Sequence, residues 1–166
     1  MISVEHARLM ARYNQWQNRS LYRAAETLSD ADRRQERGAF FGSIHGTLSH
    51  LMWGDLMWMS RFMGDEQRLG SIADSPSLFP DWANLKRRRE THDQAIIDWT
   101  VKLDQSWLYG DLTWFSGATG SKRVKPQWML LVHFFNHQTH HRGQVHAMLT
   151  QAGAKPDDTD LMLMPM

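Results

Sequence analysis

Apolar residues recur at helical spacing in four long blocks. The first, 4–28, follows Ser3, a candidate N-cap, and places Glu5 in the first turn, where a carboxylate suits the helix dipole. A polar run, Ser29-Asp30-Ala31-Asp32, closes this block and begins a connection. The second block, 43–63, stops at Gly64, and a loop over 70–80 follows, marked by Asp74-Ser75-Pro76. Asp81 is placed to cap a third helix reaching residue 103, with Leu85, Ile96, Trp99 and Leu103 as its apolar stripe. Residues 107–125 alternate instead, around Ser116-Gly117-Ala118-Thr119-Gly120, which predicts a small hairpin or a lid loop. Pro126 then opens a fourth helix ending at Gly153, a natural C′ residue. The predicted fold is all-α: one domain over 1–166, a four-helix bundle with the hairpin or loop inserted between helices three and four.

The second helix is apolar on two sides. Ile44, Leu48, Leu51, Asp55, Trp58 and Phe62 share one face, and Trp53 and Met57 share another beside His50 and Gly54. One face meets the bundle. The other suits either a partner subunit, hence a homodimer, or a cover of long loops. The apolar tail from Leu161 to Met166 is expected to pack on the bundle or on a dimer mate.

Composition narrows the function. Nineteen Lys and Arg against 18 Asp and Glu leave a net charge of +1, without the basic excess of a nucleic-acid binder. The basic run Lys86-Arg87-Arg88-Arg89 precedes Glu90 and reads as a solvated helix face, since successive helical residues point in different directions. With no cysteine, disulfides, thiolate metal sites and a cysteine nucleophile are excluded. The first residues, Met1 to His6, lack a basic segment followed by an apolar one, and the charge-free stretch 39–54 is too polar and short to span a bilayer. A cytoplasmic protein without a membrane or nucleic-acid partner is expected. Residues 117–122 fail the spacing of a phosphate loop, and no His-Glu-x-x-His is present.

What needs explaining is the nine histidines. On the fourth helix, His137 and His141 lie one turn apart in a stripe with Leu130 and Met148, flanked by His133, His140 and Gln144. Two imidazoles so spaced can reach one metal ion. Burying so many polar rings without a ligand would be costly. A third ligand has to come from another helix, with His45 and His50 as candidates. They sit about 140° apart around the second helix and cannot both face one site. His92, on the apolar stripe of the third helix, is a weaker candidate and reads rather as a structural or boundary histidine. Gln144 and Asn14 are candidates to fix the ring tautomers, and His133 and His140 to line the site or move protons. Asp55 needs a buried partner, for which Arg142 is the expectation, and Gly143 suggests close approach of another helix.

Three stretches carry a resemblance: Phe40-Phe41-Gly42-Ser43-Ile44-His45-Gly46-Thr47-Leu48-Ser49-His50-Leu51, then Asn136-His137-Gln138-Thr139-His140-His141-Arg142-Gly143-Gln144, and finally the segment from Gly153 to Leu161. Together they resemble the DinB/YfiT-like family, classed as metalloenzymes, over nearly the whole chain. The resemblance implies a four-helix bundle, usually dimeric, with a divalent metal held by three histidines. Carried over by motif, these are His50, His137 and His141, the His before the Leu favouring His50 over His45. The family also implies thiol-dependent S-transfer in some members, using bacillithiol or mycothiol, and isomerisation of maleylpyruvate in one branch.

Three neutral ligands would leave a divalent ion its full charge and open positions, the arrangement of a catalytic rather than a closed structural site. Zinc or nickel is expected, with iron or manganese as alternatives. The chain lacks cysteine, so sulfur chemistry needs an external low-molecular-weight thiol. The reading is therefore a metal-dependent, thiol-activating protein acting on a small molecule. A metal-dependent hydrolase and a non-catalytic metal-binding or scaffold dimer are its rivals.

Overall fold

The structure, a computed structural model, describes residues 2–65, 67, 69–117 and 119–165. Met1, Ala118 in the predicted hairpin turn and Met166 in the apolar tail lie outside the described residues. Among those described, the chain is mostly helical with one two-stranded sheet: α1 Val4–Glu26, α2 Asp30–Arg34, α3 Ile44–Met63, α4 Trp82–Lys102, β1 Asp111–Ser116, β2 Ser121–Pro126 and α5 Gln127–Gln151.

The long helices begin where side chains can take up their orphan N–H groups. Ser3 Oγ accepts from the His6 amide, Ser43 Oγ from that of Gly46 and Asp81 Oδ1 from that of Asn84. At the end of α3, Gly64 adopts φ 74° and the Asp65 amide donates back to the Ser60 carbonyl, a left-handed stop suited to glycine. One element was not expected. Ser29 ends nothing; it caps the short α2, accepting from the Asp32 amide at 3.1 Å. A five-residue helix is too short to show periodicity, and only its charge order, Asp30 and Asp32 before Arg33 and Arg34, fits the dipole. Arg33 secures it by donating to the Ala25 and Leu28 carbonyls.

The insert is a hairpin, with β1 and β2 antiparallel in a register running from Asp111 opposite Pro126 to Ser116 opposite Ser121. Leu112, Trp114 and Ser116 alternate inward while Thr113 and Phe115 face out.

α1 packs against α4 and α5, and α3 packs against α5 and α4. Two apolar clusters result. One joins Leu21, Ile44, Leu48, Leu85 and Leu149; the other joins Ala7, Ala11, Phe62, Ile96 and Phe134. The first draws on the end of α1, the starts of α3 and α4 and the end of α5; the second draws on the opposite ends. Each fully buried Leu or Phe contributes about 1.5–3 kcal/mol. The middle turns of the same helices bury polar side chains instead: Asn14 and Asn18, His50 and Asp55, Arg89 and Asp93, His141 and Arg142. This belt positions the site.

Residues 44–55 of α3 are buried all round. Its second apolar face is covered within the chain: Trp53 donates Nε1–H to the Leu69 carbonyl, and the 3₁₀ turn Ser75–Ser77 packs on the helix. Arg89, expected on a solvated face, is 3% exposed and points into the belt.

Candidate metal centre

His50, on α3, and His137 and His141, one turn apart on α5, bring their ring nitrogens to one place, all within 4.8 Å of one another. The closest approach, His50 Nε2 to His137 Nε2, is 3.2 Å. For comparison, nitrogens bound to one ion at ~2.1 Å stand ~3.0 Å apart at octahedral angles and ~3.4 Å at tetrahedral ones.

Hydrogen bonds set which nitrogen is free on two of the rings. The Ser75 hydroxyl donates to the Ile72 carbonyl at 2.6 Å, so Ser75 Oγ can only accept from His50 Nδ1, 2.8 Å away. The proton is then on Nδ1, and the His50 Nε2 lone pair faces the cluster. In the same way His141 Nδ1 donates to Gln144 Oε1 at 2.8 Å and frees its Nε2. Gln144 in turn donates Nε2 to His140 Nε2 at 3.3 Å. Other contacts fix the ring planes: Phe41 lies flat on His50, centroids 3.6 Å apart and planes at 20°. Gly54 makes room for His137, because a methyl group there would meet His137 Cε1 at 3.1 Å.

Burial, reinforced by the neighbouring imidazoles, pushes His50 and His137 down to about 3. Burial also lowers His141, against the opposing bond from Gln144. Three rings that resist protonation bring nitrogens to one point, and the lone pairs of His50 and His141 face it. Nδ1 of His137 is buried without a hydrogen-bond partner. The donor set, its spacing and its tautomers fit a divalent ion that prefers nitrogen ligands.

The other histidines go elsewhere. His45 hydrogen-bonds the Phe79 carbonyl through Nε2 at 2.8 Å, and His92 sits on α4 outside the cluster. His133 stands one turn before His137, its ring 5.2 Å from that of Trp58, and His140 borders the cluster, its ring edge-on to His141 at 4.8 Å and its Nε2 bonded to Gln144. Asn14 is not a partner of the rings: it donates to Asp93 at 3.1 Å and accepts from Arg142. Asp55 pairs with Arg89, at 2.6 Å, rather than with Arg142. Nothing approaches Gly143; the close approach is at Gly54. Ser75, Phe41 and Gly54 therefore support the site without a spacing signal of their own. Only their nearness in sequence to His50, or membership of the loop at 70–80, could have suggested them.

A cavity of about 670 Å³ reaches His50 and His137 and is walled by Trp53, Met57, Trp58, Trp114 and Arg61. Such a volume suits a small molecule. The hairpin thus closes one side of the approach to the histidines.

Among proteins of known sequence, the chain is 28% identical over 158 residues to Protein DinB of Bacillus subtilis (strain 168), a match covering 89% of this chain and 87% of that protein. A model of the DinB family matches residues 3–166, which takes in all three histidines, the hairpin and the tail. The buried histidine cluster across α3 and α5 is thus set in a chain that belongs to the DinB family.

Proposed function

We propose that His50, His137 and His141 hold a divalent metal and that the protein uses it to activate a small external thiol toward an electrophile bound in the 670 Å³ cavity. One observation carries the reading: neutral rings, two of them tautomerically fixed, converge where the cavity ends. A divalent ion there supplies Lewis acidity, which lowers the pKa of a ligating thiol. Zinc or nickel fits the all-nitrogen donor set best.

The chain's own residues do the rest. Ser75 and Gln144 hold His50 and His141 in the ligating tautomer. Trp53, Trp58 and Trp114 exclude water from the approach, and His133, on the cavity wall, is placed to hand a proton to a leaving group. The same reading takes the four long helices as the family's four-helix bundle, one domain that works as a cytoplasmic homodimer on a small molecule rather than on nucleic acid or membrane. Among the described residues, no helix is long and apolar enough to cross a membrane.

Elemental analysis of untagged protein beside a triple variant, His50→Ala with His137→Ala and His141→Ala, tests the site. Near-stoichiometric metal in the first and none in the second is expected; equal traces in both would overturn the reading. In cobalt-substituted protein, a small thiol should produce a thiolate-to-metal absorption band. Metal without that band leaves the centre to hydrolysis or to binding alone.

A further inference from the structure

Arg89 and Arg142 are both buried in the belt, but their surroundings differ. Arg89 contacts the carboxylates of Asp55 and Asp93. Arg142, 5% exposed, donates instead to Asn14 Oδ1 and Thr139 Oγ1, both neutral, and its guanidinium lies 5.5 Å from the centre of the Tyr13 ring. Asn14 stands between it and Asp93, to which Asn14 donates at 3.1 Å. A guanidinium has five N–H donors, and these two acceptors do not use them all. Among the described residues, Arg142 is thus a buried cation in contact with neutral oxygens only, a setting that favours an anion able to reach it.

A cavity of about 260 Å³ leads to it. Thr139, Arg142, Gly143 and His146 line one side, on the face of α5 turned away from His137 and His141. Tyr13 and Gln17 of α1 and Thr159 line the other. That second wall is laced together by hydrogen bonds. Tyr13 donates Oη–H to the Thr159 carbonyl at 2.6 Å, Gln17 Nε2 donates to that of Asp158 at 3.0 Å, and the Asp157 amide donates to Ser20 Oγ at 2.7 Å. No carboxylate lines the space: Asp157 pairs with Arg23, and Asp158 and Asp160 are exposed. Nothing lies within 4 Å of a methyl group added at Gly143. A glycine inside a helix weakens it, and no neighbouring element requires this one; a ligand seated against the bare backbone would use it.

We infer that this cavity binds a small tetrahedral oxyanion of the phosphate or sulfate type, held by the Arg142 guanidinium and given room by Gly143. His146, one turn after Arg142, and Thr159 opposite it supply further donors. Donors from both walls suit an anion with acceptors on every side, whereas a planar carboxylate would engage the guanidinium fork alone. The volume admits such a group, either as the free ion or as the end of a larger phosphate ester. The site lies across α5 from the histidine cluster and is independent of the metal reading.

Amide-resolved NMR titration of the full chain with inorganic phosphate, sulfate, glycerol phosphate and acetate tests this, at one ionic strength, on chelator-treated and zinc-loaded samples. Saturable shifts at Tyr13, Gln17, Arg142, Gly143, His146 and Thr159 are expected in both samples. Phosphate should bind with a dissociation constant of about 1 mM and acetate about tenfold more weakly. Glycerol phosphate binding more tightly than inorganic phosphate would mark the ester as the ligand; the reverse order would mark the free ion. Gly143→Leu, which puts a side chain into the cavity, should weaken phosphate about tenfold. Arg142→Lys keeps the charge without the fork and should weaken it about threefold; a dispersed spectrum shows that each variant is folded. Shifts that grow without saturating would overturn the inference, as would acetate binding equal to that of phosphate. So would shifts confined to the zinc-loaded sample around His50, His137 and His141, or an affinity unchanged in both folded variants.

Discussion

Two polar islands lie side by side in the same buried belt, and they are built on opposite principles. In one, Arg89 stands between Asp55 at 2.6 Å and Asp93 at 2.9 Å, while Asn14 and Asn18 donate to Asp93 and Arg142 donates to Asn14. Charge meets charge across α1, α3, α4 and α5. In the other, three imidazoles face one another without a carboxylate among them, His50 Nε2 and His137 Nε2 standing 3.2 Å apart. The first island pairs its own charges and serves to register the helices. The second turns neutral nitrogen donors toward one centre, the arrangement that suits a cation. Burial of polar groups is thus no guide to function by itself; what matters is whether the charges pair with one another or the donors point at a shared centre.

The largest effect should come from breaking the closed island. Burial opposes the charge on Arg89, yet the carboxylates of Asp93 and Asp55 outweigh it and raise its pKa above the ordinary guanidinium value. Arg89→Met would leave two carboxylates buried without their cation. A loss of about 3–5 kcal/mol in urea denaturation is expected, with metal content per folded molecule unchanged. Loss of metal at preserved stability would mean that the two islands are not separate in function.

Acid should pull the islands in opposite directions. His50 and His137, buried and held near 3, keep their protons off while unfolded rings accept them below the ordinary 6.5. Their contribution to stability is present above 6.5 and is lost as the pH falls toward 3. The slope is up to ~1.4 kcal/mol per pH unit for each ring. Burial raises Asp93 to about 6, against the pull of Arg89 and Asn18, so its stabilising protonated form is full below 3.8 and lost as the pH rises through 6. In chelator-treated protein, His137→Gln should therefore flatten the acid loss between pH 6 and 4, and Asp93→Asn should steepen it. Denaturation series across that window decide, and identical slopes in all three proteins would refute the assignment.

A smaller effect separates ligand from support. Ser75→Ala removes the acceptor for His50 Nδ1 and so frees the ring to change tautomer. Metal affinity, read by competition with a chromophoric chelator, should fall about tenfold, with little change in stability. An unchanged affinity would show that Phe41, stacked on the same ring, suffices to orient it.

What the sequence disclosed follows the range of the interactions. Helix starts at Ser3, Ser43 and Asp81 and the stop at Gly64 depend on residues within a turn or so, and these were readable. So was the pairing of His137 with His141, which one helix enforces. The choice of His50 came from family resemblance rather than from spacing. Ser75 was not readable, because its bond to His50 joins residues 25 apart through a loop. The partner of Asp55 was misassigned for the same reason: both Arg89 and Arg142 lie in the belt, and only the packing of α3 on α4 decides between them. Arg89 itself hid in a basic run whose other members are solvated.

The smallest effect bears on the finest point of the comparison, how closely the backbone approaches the open island. Gly54 and Gly143 are both helical glycines, and replacing such a residue by alanine gains about 1 kcal/mol where space allows. Beside Gly143 nothing lies within 4 Å of an added methyl group. Gly143→Ala should therefore be more stable by about 0.5–1 kcal/mol, with metal binding untouched. At Gly54 the methyl group would stand 3.1 Å from His137 Cε1, so the ring must yield by a few tenths of an ångström. Part of the helical gain is then spent on displacing the ring, and metal affinity should drop while stability rises less than in Gly143→Ala. Denaturation and metal competition on the two variants, side by side, make the test. If both gain equally in stability and both bind metal as the wild type does, His137 is not held by the bare backbone at Gly54, and its ring orientation must be set by His50 and His141 alone.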